Sequence, residues 1–113
     1  MQRLSAQDLA TELARLAATG PSPLLLDVRE PWECALARLD LPDAELKCLP
    51  MRDIPGRVAE LDPQRPILCL CHHGMRSLQV AMFLDAHGYP HAYNIEGGID
   101  AWSRDVDPAV PRY

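Results

Sequence analysis

The sequence predicts an α/β fold with a mostly parallel central sheet covered by helices on both faces, a three-layer arrangement. Three observations predict it. Strand-length runs recur at 24–28, 67–71 and 91–95, the first two apolar throughout or nearly so, as suits strands buried on both faces. Segments with apolar residues at helical spacing separate these runs, and strands alternating with helices give parallel sheets. Polar motifs follow three of the strands at 27–30, 71–76 and 96–98. In an open α/β sheet, ligand sites lie beyond the carboxyl ends of the strands, so these motifs converge on one edge.

The elements follow in order. Ser5 caps a first helix and Asp8 suits its first turn, with Leu9, Leu13 and Leu16 forming the apolar stripe. Gly20-Pro21-Ser22-Pro23 ends it. Leu24 to Val28 is a buried strand, followed by a turn at 27–31 and a short helix from Trp32 to about Leu36. Residues 38–50 carry the weakest pattern, with a short strand at 45–49. A helix covers 54–61, with Pro55 in its first turn, where a missing amide does no harm.

The next strand spans 67–71 and the next helix 77–87, with Leu78, Ala81 and Met82 on one face. Gly88 stands at the C′ position and Pro90 prevents continuation. A strand at 91–95, a Gly97-Gly98 turn and a helix at 99–105 complete the pattern. The proline-rich residues 106–113 read as an extended tail on a single domain of residues 1–113.

The composition narrows the function. The formal net charge of −5 argues against nucleic acid or an anionic membrane as the main partner. No apolar run is long enough to span a membrane, and the first residues lack the pattern of a secretory signal; both features favour the cytoplasm. The four cysteines (Cys34, Cys48, Cys69 and Cys71) read as reduced thiols, because a chain with an ordinary apolar fraction needs no disulfide staples. Cys34 and Cys48 read as buried small hydrophobes, with Cys34 as a minor alternative resolving thiol for Cys71.

Residues 66–88 organise the chemistry. Cys71 ends a buried strand and faces the N-terminus of the following helix. The first amides of a helix have no intrahelical partners, and the dipole adds about half a positive charge. Both effects favour the thiolate, the reactive form of cysteine. Arg76 adds a permanent charge, Ser77 a hydroxyl, and Gly74 lets the loop fold back so that its amides converge as an anion nest. His72, His73 and Met75 complete the loop. The histidines either contribute only their amides or help to bind an anionic donor. Arg76 suits a bidentate carboxylate that braces the turn. Asp27 and Arg29 belong to such a bracing network or form a surface pair.

The loop Cys71-His72-His73-Gly74-Met75-Arg76-Ser77 resembles the Cys-x-x-Gly-x-Arg-Ser active-site loop of the rhodanese family. Leu-Leu-Leu-Asp-Val-Arg-Glu at 24–30, Tyr-Asn-Ile-Glu-Gly-Gly-Ile at 93–99 and Ala-Trp at 101–102 agree in order. Residues 37–44 depart from the family's Gly-His-Ile-Pro-Gly-Ala-like stretch. The resemblance implies the rhodanese-like three-layer fold and a sulfurtransferase. In that reaction Cys71 takes sulfur from thiosulfate or a persulfide donor, holds it as a persulfide and passes it to a thiophilic acceptor. It implies no cofactor beyond that covalent intermediate. The partners implied are a small sulfur donor such as thiosulfate, or a protein persulfide donor or acceptor.

Three alternatives stay open. Phosphatases and arsenate reductases on a similar scaffold use a longer loop, whereas here only His72 to Met75 separate Cys71 from Arg76. A persulfide carrier or a regulatory rhodanese-like binding module is the second. The tail 106–113 resembles the end of rhodanese domains fused to ubiquitin-activating-type adenylyltransferases, which fits a carrier. The third is a zinc site at Cys69-Leu70-Cys71-His72-His73. Its candidate ligands crowd one strand end instead of forming two separated pairs, so no metal is expected.

Overall fold

The computed structural model describes the whole chain, Met1 to Tyr113. Five strands are present: β1 (Gln2–Ser5), β2 (Leu24–Asp27), β3 (Glu45–Cys48), β4 (Ile67–Leu70) and β5 (Ala92–Glu96). They form one sheet in the order β1-β5-β4-β2-β3, every pair parallel. The helices are α1 (Leu9–Thr19), α2 (Pro31–Leu36), α3 (Ile54–Arg57), α4 (Met75–Ala86) and α5 (Gly98–Asp105).

The alternation of side chains along β2 and β4 divides the core in two. Leu25, Leu68 and Leu70 point to one face, where they meet Leu9 and Leu13 of α1 and Ile99 and Trp102 of α5. Leu24, Leu26, Ile67 and Cys69 point to the other, against Ile54 of α3 and Val80, Ala81 and Leu84 of α4. Every residue of β2 and β4 is buried, as the uninterrupted apolar runs require.

The chain leaves β2 toward β3 on one side and leaves β4 toward β5 on the other. The gap between the carboxyl ends of β2 and β4 is therefore a topological switch point. Asp27 lies directly opposite Leu70 there, one residue before Cys71.

Several expectations need correction. β1 has no counterpart in the sequence pattern: it is a short edge strand, exposed along most of its length, so it carries no apolar run. Ser5 does cap, but it accepts from the Asp8 amide at 3.2 Å and starts a 3-10 turn (Ala6–Asp8) before α1. The helix expected at 54–61 is a relay of a 3-10 turn (Met51–Asp53), α3 and a second 3-10 turn (Val58–Glu60). The strand expected at 67–71 stops at Leu70, which frees Cys71 from the ladder. α4 begins at Met75 rather than at Ser77, because Gly74 takes a left-handed φ of 100° at its N-cap. Met82 lies on the outer face of α4 and is exposed.

The tail is not extended. The amides of Val106 and Asp107 both donate to the Trp102 carbonyl at 2.9 Å, and the Asp107 side chain accepts from the Ala109 amide at 3.0 Å. The chain then turns back, and Val110 and Tyr113 pack against the core cluster on the α1 and α5 side of the sheet. This return brings Tyr113 to the edge where the loop lies.

Candidate functional site

Cys71 Sγ is the focus of the loop. It is 1% exposed and accepts from the Gly74 amide at 3.0 Å and the Ser77 amide at 3.4 Å. Ser77 Oγ lies 3.2 Å away. Both amides belong to the start of α4, so the positive end of that helix faces the sulfur.

The other side of the loop meets α5. The amides of Ile99 and Asp100 donate to the carbonyls of Cys71 and His72, at 2.9 and 3.1 Å. This approach requires Gly98: a Cβ there would collide with both carbonyl oxygens, and its φ of 61° disfavours any side chain. One helix N-terminus thus serves the sulfur, and the other holds the loop backbone that carries it.

Asn94 lies within the Tyr-Asn-Ile-Glu-Gly-Gly-Ile motif at 93–99, where nothing in the sequence marks its role. It is fully buried beside Cys69 in the sheet, one strand from the loop. Its Nδ2 donates to the Gly74 carbonyl at 3.3 Å and to Glu96, which fixes the amide orientation. Its Oδ1 then accepts from Ser77 Oγ at 2.6 Å. The Ser77 hydroxyl has one hydrogen to share between Asn94 and the sulfur.

Arg76 is braced as expected, and its partner is Glu33 of α2. The guanidinium donates to both carboxylate oxygens, at 2.6 and 2.9 Å. Arg76 holds the Glu33 carboxyl at a pKa of about 2, against the opposing effect of burial, with Tyr113 and the Glu30 amide adding to the shift. Glu33 in turn raises Arg76. Tyr113 completes the carboxylate by donating its hydroxyl to Oε2 at 2.7 Å, and burial raises its pKa to about 12.

Asp27 and Arg29 are no surface pair. Both side chains are fully buried and joined at 2.6 Å. Arg29 Nε donates to the Asp27 carboxylate, Nη2 to Asp27 and to the Ala37 carbonyl, and Nη1 to the Glu33 carbonyl and the Tyr113 hydroxyl. Burial opposes its charge, but the bonds to Asp27 and Tyr113 outweigh it and raise the pKa. Arg29 and Tyr113 therefore link the strand end at Asp27 to the brace of the loop.

His72 and His73 stack at 3.9 Å, and the Tyr113 ring stacks on the other face of His72, also at 3.9 Å. Burial, and after it the neighbouring His73, lowers the His72 pKa. The His73 side chain is 63% exposed and lies 3.9 Å from Asp100. Met75 is 68% exposed and Trp32 61%, so the lip of the site carries two large apolar side chains. Neither of the two surface hollows, of about 330 and 230 Å³, is lined by the loop between Cys71 and Ser77.

The remaining cysteines divide. Cys69 is fully buried, and burial raises its pKa above the ordinary range. Cys34 is half-buried and Cys48 exposed, contrary to the expectation that both lie in the core. Cys48 ends the edge strand β3, which leaves one flank open, and Cys34 lies within the short helix α2 beside it.

The rhodanese-like domain model matches residues 9–105. The chain belongs to the rhodanese-like domain family. A protein of Allochromatium vinosum named as a sulfurtransferase is 41% identical over 96 residues, which span 85% of each chain. The chain also aligns at 41% identity, over 93 residues, with the rhodanese-like/PpiC domain-containing protein 12 of Arabidopsis thaliana, spanning 79% of this chain and 30% of that longer relative. Among solved structures, the rhodanese-like domain protein of Staphylococcus aureus superposes with a TM-score of 0.74 at 27% identity, covering 100% of this chain and 99% of that one. The five-stranded parallel sheet and its helices are thus a rhodanese-like α/β fold. No helix is long and apolar enough to cross a membrane.

Two predictions arise from the brace. Arg29→Ala leaves a buried carboxylate without its cation and should destabilise the protein by about 3–5 kcal/mol in urea unfolding; Asp27→Asn with Arg29→Met should recover part of that loss. For Glu33, the folded pKa lies below the ordinary value of 4.5, at about 2. Its contribution to stability is therefore complete above pH 4.5 and is lost as pH falls from there through 2. The difference in thermal midpoint between wild type and Glu33→Gln should shrink across that interval and stay constant above it.

Proposed function

We propose that this chain is a sulfurtransferase in which Cys71 attacks the outer sulfur of thiosulfate or of a persulfide donor. With thiosulfate, the Cys71 thiolate forms the new S–S bond, the donor's S–S bond breaks, and sulfite leaves with the electron pair. Cys71 then carries a persulfide. A thiophilic acceptor takes the terminal sulfur and restores the thiolate. Two successive displacements on one nucleophile give ping-pong kinetics. No cofactor or metal enters either step, since the sulfur travels covalently on Cys71.

The observation that carries this reading is the convergence of the Gly74 and Ser77 amides and the Ser77 hydroxyl on one buried sulfur. Donors aimed at a site of negative charge stabilise the species that bears it. The ring is small. Four residues separate Cys71 from Arg76, and Arg76 is turned away onto Glu33. A phosphatase needs room and donors for a tetrahedral oxyanion; here the donors close on a single sulfur. Arg76, His72 and Met75 thus act as loop frame and lip, His73 and Ser77 face the donor, and Asp27 and Arg29 position the brace. The exposed Trp32 and Met75 favour, as a second reading within the same chemistry, a protein persulfide as donor or acceptor. The cytoplasm is the proposed compartment, where Cys71 is kept as a thiol between turnovers.

Intact mass after incubation with thiosulfate, without reductant, tests the reading. Wild type should gain one sulfur, roughly 32 Da, as a covalent intermediate on cysteine requires. Cys71→Ser should gain none. A Cys71→Ser protein that still loads sulfur, or a wild type that loads from neither thiosulfate nor a desulfurase persulfide, overturns the assignment. Asn94→Ala removes the partner that orients Ser77 and should slow loading about tenfold, the effect of one buried hydrogen bond, while the Cys71 thiol remains titratable by a disulfide reagent.

A further inference from the structure

The chain sets two more thiols beside each other, at the strand end that carries Asp27. Cys48 closes β3 and pairs across the sheet with Asp27, while Cys34 lies in α2, the helix that follows β2. The two sulfurs and an Asp27 carboxylate oxygen lie within 4.8 Å of one another. Two thiols and a carboxylate have the composition of a metal site. The surroundings oppose that use, because both Asp27 oxygens accept from the Arg29 guanidinium, a fixed positive charge at the same place. What is left for chemistry is the pair of thiols. Cys48 is exposed and Cys34 half-buried.

We infer that Cys34 and Cys48 are a second sulfur site, a dithiol that closes reversibly to a disulfide by exchange with a small disulfide of the glutathione class. The inference does not depend on the activity proposed for Cys71. The exposed Cys48 thiolate attacks one sulfur of glutathione disulfide, and one glutathione thiolate leaves. Cys34 then gives up its proton and attacks the Cys48 sulfur of the mixed disulfide, expelling the second glutathione thiolate. Two protein thiols are oxidised, and one glutathione disulfide is reduced to two glutathione molecules. The order follows from access and from acidity: burial, with the Asp27 carboxylate and the Cys48 sulfur, pushes the Cys34 thiol up to about 12. Cys34 is a poor first attacker and an adequate second one, once its target is held beside it.

The bond has a structural consequence. It closes the connection from α2 to β3, where residues 37–44 form neither helix nor strand. A cross-link around a loop of about fifteen residues restricts the unfolded chain more than the folded one. It also ties down α2, which carries Glu33, the partner of Arg76. Cys34 on this account resolves Cys48 and not Cys71.

The test uses the full chain with Cys71→Ser, which removes the competing nucleophile, incubated with oxidised glutathione. Acid quench, alkylation and tryptic digestion follow, and the same digestion is run on wild type. The expected product links peptide 30–38 to peptide 48–52, with loss of about two hydrogens and a thermal midpoint several degrees higher, both reversed by dithiothreitol. With Cys34→Ser added, Cys48 should keep a glutathione adduct instead. A stable adduct on Cys48 while Cys34 is intact, a Cys34 linked to another cysteine, or a Cys48 that does not react overturns the inference.

Discussion

The fully buried guanidinium of Arg29 is the constraint on which the rest of the site depends. A guanidinium has five N–H groups, and none can be left without an acceptor in a dry interior. Here the acceptors are Asp27, the carbonyls of Glu33 and Ala37, and the Tyr113 hydroxyl. Each comes from a different part of the chain: the end of β2, the body of α2, the residue after α2, and the returning tail. Satisfying one side chain therefore ties together the end of β2, the helix α2 with its C-cap, and the returning tail. A buried pair of this kind contributes little net stability relative to apolar residues of the same size. Its effect is on position. Glu33 is held at the place where its carboxylate meets Arg76, and the Cys71 loop is held through Arg76.

The loop itself is held by opposed electrostatics. The start of α4 presents amides to Cys71 Sγ, and the start of α5 presents amides to the carbonyls on the other side of the same loop. Both contacts satisfy groups at helix N-termini that have no partner within the helix. The Ser77 hydroxyl mediates between states. While the sulfur carries a proton, the S–H can donate to Ser77 and Ser77 to Asn94. Once the sulfur is anionic, the hydroxyl hydrogen is shared between the sulfur and Asn94 Oδ1, which lies 2.6 Å away in a site without exposure. The orientation of Asn94 sets that balance, and Glu96 and the Gly74 carbonyl set the orientation of Asn94.

The loop was legible in the sequence because its chemistry is contiguous: strand, cysteine, glycine, arginine, serine and helix follow one another within residues 66–88. The central strands were legible because burial on both faces leaves an uninterrupted apolar run. What was not legible is long-range and polar. Glu33 lies 43 residues from Arg76 and Tyr113 lies 80 residues from Glu33, and no local period announces either pairing. Asn94 sits inside a strand, where a polar residue reads as part of an alternation and not as a buried clamp. β1 leaves no mark in the sequence because an exposed edge strand carries no hydrophobic pattern, and the prolines of the tail mark only the end of a helix, not the path of the chain beyond it. The exposure of Cys48 at the end of β3 and the half-burial of Cys34 in α2 do not follow from the average burial of cysteine, which says nothing about a particular element.

An acidic chain whose loop amides converge on one sulfur is a contradiction only if its carboxylates are counted without their partners. Each carboxylate that touches the loop network has an arginine of its own: Asp27 has Arg29 at 2.6 Å, Glu33 has Arg76 at 2.6 Å, Asp100 has Arg112 at 3.0 Å, and Glu96 has Arg3 at 3.5 Å. Near the sulfur these charges cancel in pairs. What stays uncancelled is the positive end of α4 and the amides that open it. The rest of the net charge of −5 sits farther off, where solvent and salt screen it over about 8–10 Å. The sign of the field at Cys71 is therefore set by the pairing of four carboxylates and one helix terminus, and not by the charge of the whole chain.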